Sequence, residues 1–325
     1  MIEVDTLIVG GGPAGSSCAW RLRRHGVECL VLDRATFPRV KLCAGWVTPK
    51  VLRDLEIEPG EYPLSFLTFD ALRISLRGFG ITLRAREHSV RRIEFDDWLL
   101  RRSGAPVVMH NVREVRCDGD RYVVDDTWRC RHLVGAGGTR CPVYRSLFRD
   151  RAPRNEALQA AVLEEEFASD WSDGTCRLWF FDGGLPGYSW YVPKAGGHLN
   201  VGIGAMASRL KARQDTIRPH WRRLTGALAA RDLVAERTWD PGGYTYYLRP
   251  RHDTVRREQA FLIGDSAGLS TRDLCEGIGP AVRSGLLAAD AIATGSDYTL
   301  AAVRAHSVKQ SLVARALDWA FCGRA

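Results

Sequence analysis

Lysine is scarce in this sequence: of 46 basic residues only five (Lys41, Lys50, Lys194, Lys211 and Lys309) are lysine, leaving 41 arginines spread along 325 residues. The net charge of +8 comes with no helix-turn-helix, zinc-finger or RNP-type motif, so no nucleic-acid partner is expected. Attraction to an anionic head group or a membrane surface stays open. Long apolar runs are missing too. No uninterrupted stretch approaches the roughly 18 residues that span a bilayer, and a first strand expected from residue 4 leaves no room for a signal peptide. The nine cysteines (18, 29, 43, 117, 130, 141, 176, 275 and 322) are odd in number, scattered and without a C-x-x-C pair. They read as reduced thiols of a cytoplasmic protein, which excludes a disulfide framework and a metal site built on cysteine.

Glycine is where the information lies. Val9-Gly10-Gly11-Gly12-Pro13-Ala14-Gly15 stands near the start and Gly264-Asp265-Ser266-Ala267-Gly268 near the end. Residues 4–9 form a short apolar run suited to a buried parallel strand. Gly10 allows a tight turn, Gly12 lets the backbone approach a pyrophosphate, and Gly15 lets the next helix pack closely on the strand. That helix is expected over 13–25, ending at Gly26. A second apolar strand over 29–32 closes on Asp33, an acid placed to accept a hydrogen bond from a ribose hydroxyl. The phosphates of a dinucleotide fit the free N–H groups at the helix N-terminus.

Between the signatures the pattern changes. Leu72, Ile74 and Leu76, then Ile81 and Leu83, alternate with polar residues and predict an antiparallel hairpin turning at Gly78-Phe79-Gly80. Residues 95–102 read as helix and 107–124 as further strands, and 133–138 return as a short buried strand. Segments 157–167, 175–181, 188–193 and 198–205 predict one antiparallel sheet, followed by a helix over 209–233 and a strand over 244–248. Its aromatics, Trp179, Phe181, Tyr188, Trp190 and Tyr191, line either an ordinary core or an apolar substrate pocket. Alternation puts Tyr188 and Trp190 on one face and Tyr191 on the other, so at most two of these three touch one substrate. Arg249 and Arg251 are candidate contacts for a phosphate-bearing substrate, with plain solvation as the simpler reading. The late helix around 312–321 is a candidate for peripheral membrane contact. The expected fold class is α/β (α+β): a discontinuous Rossmann-like domain over 1–64, 90–153 and 254–325, and an antiparallel-sheet substrate domain over 65–89 and 154–253.

Five ordered motifs carry a family resemblance. They are the N-terminal glycine fingerprint; the 38–45 loop PRVKLCAG, similar to K-x-C-G-G; Arg92-x-x-Phe95-Asp96-x-x-Leu99; Tyr188-Ser189-Trp190-Tyr191-Val192-Pro193-Lys194, similar to Y-x-W-x-F-P-K; and the 264–279 segment containing GDSAG and CEGIG. Over nearly its whole length the chain resembles FAD-dependent oxidoreductases of the p-hydroxybenzoate hydroxylase type, and most of all the geranylgeranyl reductase family.

The resemblance implies that FAD is the cofactor and that both ends of the chain build its site. Gly10, Gly12, Ala14 and Gly15 would form the pyrophosphate turn, with Asp33 at the adenosine ribose and Arg34 beside it. Arg92 would reach the phosphates or the ribityl region, and Val112 would meet the adenine through its backbone. Cys43, Ala44 and Gly45 would lie along the isoalloxazine. Gly264 and Asp265 would serve the ribityl chain or pyrophosphate. Gly277 and Ile278 would place N–H groups at the flavin O2/N1 edge, where a helix N-terminus stabilises negative charge. Cys43 and Cys275 are candidate catalytic thiols, and Tyr188, Trp190 and Tyr191 candidate pocket residues.

Three departures stand out. The G-A-D-G motif reads Gly135-Ala136-Gly137-Gly138, and the late motif has Arg272 and Cys275 where a proline and a glycine are usual. The chain is also shorter than most relatives. The leading expectation is reduction of carbon–carbon double bonds in a lipophilic, prenyl-type small molecule, with NAD(P)H or another reductant as transient electron donor. The alternative is a monooxygenase acting on an aromatic or polyketide-like substrate. A halogenase is disfavoured because no lysine lies between Lys50 and Lys194, and a non-enzymatic flavin-binding module is the remaining class. Oligomeric state is left open.

Overall fold

The computed structural model describes residues 1–76, 78–171, 173–250, 254–301 and 303; Arg251 and the expected 312–321 helix lie outside them. In chain order, β1 (Ile2–Val9), α1 (Pro13–Arg24) and β2 (Cys29–Asp33) are followed by β3 (Trp46–Val47), α2 (Pro49–Asp54), β4 (Phe66–Leu76), β5 (Phe79–Val90) and α3 (Arg92–Arg102). The strands β6 (Val107–Met109), β7 (Val115–Asp118), β8 (Arg121–Val124) and β9 (Trp128–Gly135) come next, then β10 (Gln159–Ala168), β11 (Cys176–Phe180), β12 (Gly187–Lys194) and β13 (His198–Met206). The chain continues through α4 (Ala207–Ala212), α5 (Ile217–Ala229), β14 (Gly242–Tyr247), β15 (Arg256–Arg257), β16 (Ala260–Leu262) and α6 (Ile278–Thr294). The single helix expected over 209–233 is two, because Gln214 takes a left-handed conformation between α4 and α5.

Two compact units result. Among the described residues, the first contains Met1–Arg39, Phe95–Asn155 and those from 246 to 303; the second contains Val40–Glu94 and Glu156–Thr245. Residues 40–64 fall in the second unit, where β3 pairs with β5 and the Gly45 carbonyl accepts the Val90 N–H, rather than with the nucleotide-type sheet.

The first unit is built on the sheet β15-β16-β9-β1-β2-β6, with β16, β9, β1, β2 and β6 mutually parallel and β8 antiparallel to β9. Leu7 and Ile8 of β1 are wholly buried, the signature of a parallel strand covered on both faces. Across one face α1 meets α6 at small residues. A Cβ at Gly285 would stand 2.3 Å from the Ala14 carbonyl oxygen, so this close approach requires glycine.

The second unit is the sheet β14-β10-β13-β12-β11-β4-β5-β3, with β10–β13, β13–β12, β12–β11, β4–β5 and β5–β3 antiparallel and β11–β4 parallel. Its two faces are sharply different. On one, Leu163, Tyr191, Leu199, Val201 and Ile203 pack in a single core with Trp221, Leu224 and Leu228 of α5, a helical stripe at the expected 3.6-residue period. The other face carries Glu164, Glu166, Asn200, Tyr188, Trp190 and Lys194, set there by the registers Glu164↔Gly202, Glu166↔Asn200, Trp190↔Gly202 and Val192↔Asn200.

Candidate active site

In the first unit the β1–α1 turn is shaped by its backbone. Gly10 has φ +116°, and a Cβ there would meet the Ala136 carbonyl oxygen at 2.3 Å. A Cβ at Gly15 would stand 1.9 Å from the Gly10 carbonyl oxygen. Gly12 differs. Its Cβ direction is open, the nearest atom being Arg39 Nη2 at 3.5 Å, and Arg39 is itself held by the buried Asp96 at 3.2 Å. An open glycine backbone beneath an arginine, at the N-terminus of a helix with no side-chain cap, has the chemistry that suits a phosphate.

Asp33 closes this turn. Its carboxylate accepts the Gly11 N–H at 2.7 Å and the Ala35 N–H at 2.9 Å, and 8% exposure leaves an acceptor edge for a sugar hydroxyl. Arg34 beside it is exposed. Val112 buries its side chain among Leu32, Val115 and Trp128, so only its backbone is on offer.

The second signature lies in the same unit. Gly264, left-handed, donates its N–H to Ser284 Oγ at 2.9 Å, and its Cβ direction runs into Ala14 at 3.0 Å. Asp265 accepts from Ser270 Oγ at 3.4 Å, and a Cβ on Gly277 would be 3.7 Å from Asp265 Oδ1. Gly277 and Ile278 open α6, ahead of any intrahelical donation. The missing acid of G-A-D-G is offset by other links. Gly138 N–H donates to Ser266 Oγ at 3.0 Å, and Arg154 donates to the Ser266 carbonyl at 2.7 Å. Cys275 is left-handed and half-buried in this unit. Arg249 is buried, its N–H on the Ser270 carbonyl at 2.8 Å, so solvation is not its role.

In the second unit, Cys43, Ala44 and Gly45 form a loop clamped from below. Lys194, wholly buried, donates to the Val90 carbonyl at 2.8 Å and pairs with Glu166 at 2.8 Å. A Cβ on Gly45 would stand 2.1 Å from that carbonyl oxygen and 2.6 Å from Lys194 Nζ, and φ +67° makes glycine doubly necessary. Cys43 Sγ accepts the Gly45 N–H at 3.3 Å. Arg92, buried at the start of α3, belongs to this unit.

Beside the loop, Trp190 lies flat over Gly202, where a Cβ would come within 2.0 Å of its ring. Its indole N–H donates to Asn200 Oδ1 at 2.7 Å, and the Asn200 amide donates to the Cys43 carbonyl at 3.4 Å. Tyr188 stands 5.7 Å from Trp190, ring to ring, and stacks on Phe180 at 5.0 Å. Tyr191 does not join them: it is 1% exposed in the opposite core against α5, because successive strand residues point to opposite faces. Cys43 and Cys275 belong to different units.

Glu164, Asn200, Lys194 and Arg39 were not singled out as site residues from sequence. Glu164 is wholly buried, and neither carboxyl oxygen has a hydrogen-bond partner. Burial pushes its carboxyl up to about 7, against the charges of Lys194, Lys41 and Arg92 and the facing Asn200 amide. Arg39 and Lys194 carried a signal, as members of the 38–45 and 188–194 motifs.

Comparison with known proteins now adds identity to this geometry. Residues 8–42 match the model of an NAD(P)-binding Rossmann-like domain. The chain is similar to geranylgeranyl diphosphate reductase from Rhodobacter capsulatus, 26% identical over 95% of this chain and 81% of that protein. It is similar to menaquinone reductase from Mycobacterium tuberculosis, 30% identical over 89% of this chain and 76% of that protein. The chain belongs to the geranylgeranyl reductase family of FAD-dependent oxidoreductases. A geranylgeranyl bacteriochlorophyll reductase-like protein from Thermoplasma acidophilum shares the fold of this family member, with TM-score 0.76 and 19% identity over 90% of this chain and 78% of that one. The residues present fit FAD: an open Gly12, a buried Asp33 carboxylate closing the β1–α1 turn and an uncapped α1 N-terminus suit a dinucleotide. Among the described residues no cluster of metal-ligating side chains occurs and no helix is long and apolar enough to cross a membrane.

Proposed function

We propose that this FAD-dependent oxidoreductase reduces carbon–carbon double bonds of a prenyl-type lipid. The observation that carries the reading is the aromatic row Phe180–Tyr188–Trp190 on one sheet face, with Trp190 over Gly202 and linked through Asn200 to the Cys43–Gly45 loop. The names of the relatives, menaquinone reductase and geranylgeranyl diphosphate reductase, denote prenylated substrates and support it.

FAD, when bound and reduced, supplies a hydride. The chain's residues do the rest. Gly10, Gly12, Ala14 and Gly15 hold the pyrophosphate, Asp33 and Arg34 the adenosine ribose end, and Val112 the adenine through its backbone. Arg92, Gly264 and Asp265 serve the phosphates and ribityl chain. Cys43, Ala44 and Gly45 would hold the flavin ring, and Gly277 and Ile278 would offer it helix N-terminal N–H groups. Tyr188 and Trp190 exclude water and align the alkene. One of Cys43 and Cys275 tunes the site or delivers the proton. We assign residues 1–64, 90–153 and 254–325 to cofactor binding and 65–89 and 154–253 to substrate. NAD(P)H or another reductant acts as transient donor. A cytoplasmic setting is supported by eight described cysteines, all free thiols.

The test is flavin reoxidation. The purified holoenzyme, reduced without oxygen, is mixed with geranylgeranyl diphosphate. Substrate-dependent reoxidation of the flavin supports the reading, and a flavin that stays reduced with every prenyl lipid overturns it.

A further inference from the structure

The β4–β5 hairpin exposes its apolar side. Leu76, Phe79, Ile81 and Leu83 are 49, 82, 55 and 43% exposed, four of the eleven large hydrophobic side chains exposed among the described residues. The registers Leu76↔Phe79, Ile74↔Ile81 and Leu72↔Leu83 set them on one face. A clustered apolar tip of this kind marks an interaction surface rather than ordinary scatter.

That face is continuous with the aromatic surface. Ile74 and Leu76 neighbour Leu178 and Phe180, which neighbour Trp190 and Tyr188. An apolar stripe therefore runs within one sheet from Phe79 in solvent to Trp190 at 5% exposure. The charge around it has a single sign. Residues 71–86 include four arginines and no acid; Arg73 and Arg84 are exposed on the opposite face, and Arg86 is exposed further along β5.

We propose that the β4–β5 hairpin docks on an anionic lipid bilayer, its apolar tip entering the acyl boundary, its arginines meeting headgroup phosphates, and its stripe leading a prenyl chain towards Trp190. An apolar tip flanked by arginines has the chemistry of an interfacial anchor. The docking stands on the hairpin alone; the path for the chain rests on the prenyl-lipid reading.

The experiment is flotation of the full-length holoenzyme with phosphatidylcholine vesicles, with and without phosphatidylglycerol. The protein floats with anionic vesicles, and high salt weakens this. The double substitution Phe79→Ser and Ile81→Ser, at exposed positions, lowers partitioning at least about tenfold; Arg73→Gln with Arg84→Gln lowers it on anionic vesicles alone. Turnover of vesicle-embedded prenyl substrate falls in step with vesicle binding across the variants. Absence of vesicle binding, or binding unaffected by the Phe79 and Ile81 changes, overturns the proposal. So does a shift from dimer to monomer in those variants with vesicle binding unchanged, which makes the tip a contact between copies. Expected flotation with no turnover of a detergent-dispersed prenyl substrate instead overturns the prenyl-lipid reading and leaves docking intact.

Discussion

Lys194 and Glu166 form a 2.8 Å ion pair in which the lysine is wholly buried. Burial raises the Glu166 carboxyl, but Lys194 and Arg91 outweigh it and hold the group below its ordinary value. The same ammonium binds the Val90 carbonyl under Gly45, so a cation from β12 fixes the loop that carries Cys43. Lys194→Met strands a buried carboxylate and a carbonyl. It is expected to cost about 3 kcal/mol in urea unfolding and to raise the rate at which Cys43 reacts with thiol reagents. Unchanged stability contradicts the clamp.

Glu164 makes stability depend on pH. Its folded value, about 7, lies above the reference 4.5, so the folded protein keeps this proton longer than the unfolded chain does. The group's contribution is largest below pH 4.5 and declines as pH rises towards 7, by about 3 kcal/mol in all. Measured against Glu164→Gln, which does not titrate, the wild type loses relative stability across that window in chemical unfolding. A flat difference curve contradicts the burial.

Gly202 is the floor under Trp190. Gly202→Ala drives a methyl into the indole, 2.0 Å away, and is expected to cost about 1–3 kcal/mol and to reduce turnover by disturbing the Trp190–Asn200–Cys43 chain. Gly226→Ala, in α5 with nothing near its Cβ, is the contrast: calorimetry is expected to show it more stable by up to about 1 kcal/mol.

Asp33 carries the ribose assignment. Asp33→Asn keeps an acceptor for the Gly11 N–H but loses the charge, so apoprotein titrated with FAD is expected to bind about tenfold more weakly with the fold intact by circular dichroism. Equal affinity removes Asp33 from the cofactor site.

The nucleotide fold was legible because its constraints are local: strand, Gly10, Gly12, Gly15, helix and Asp33 fall within one stretch of chain. The strands after residue 154 were legible for a similar reason, since their two-residue period assigns faces, and it correctly separated Tyr191 from Tyr188 and Trp190. What alternation does not give is which strands become neighbours. Lys194 and Asn200 meet the 43–45 loop, and Glu166 meets Lys194, only through the β10–β13–β12 registers, and the placement of residues 40–64 depends on β3 finding β5. Arg249 looked solvated because nothing nearby in sequence foretells its bond to Ser270.

The central claim, that prenyl double bonds are reduced on this flavoprotein, is tested most directly by the mass of the product. After anaerobic turnover of a prenyl lipid by the reduced holoenzyme, the account predicts a product heavier by two hydrogens for each double bond reduced, with no oxygen gained when a parallel sample is run in air. A product that gains an oxygen atom, or unaltered lipid beside a reduced flavin, contradicts it.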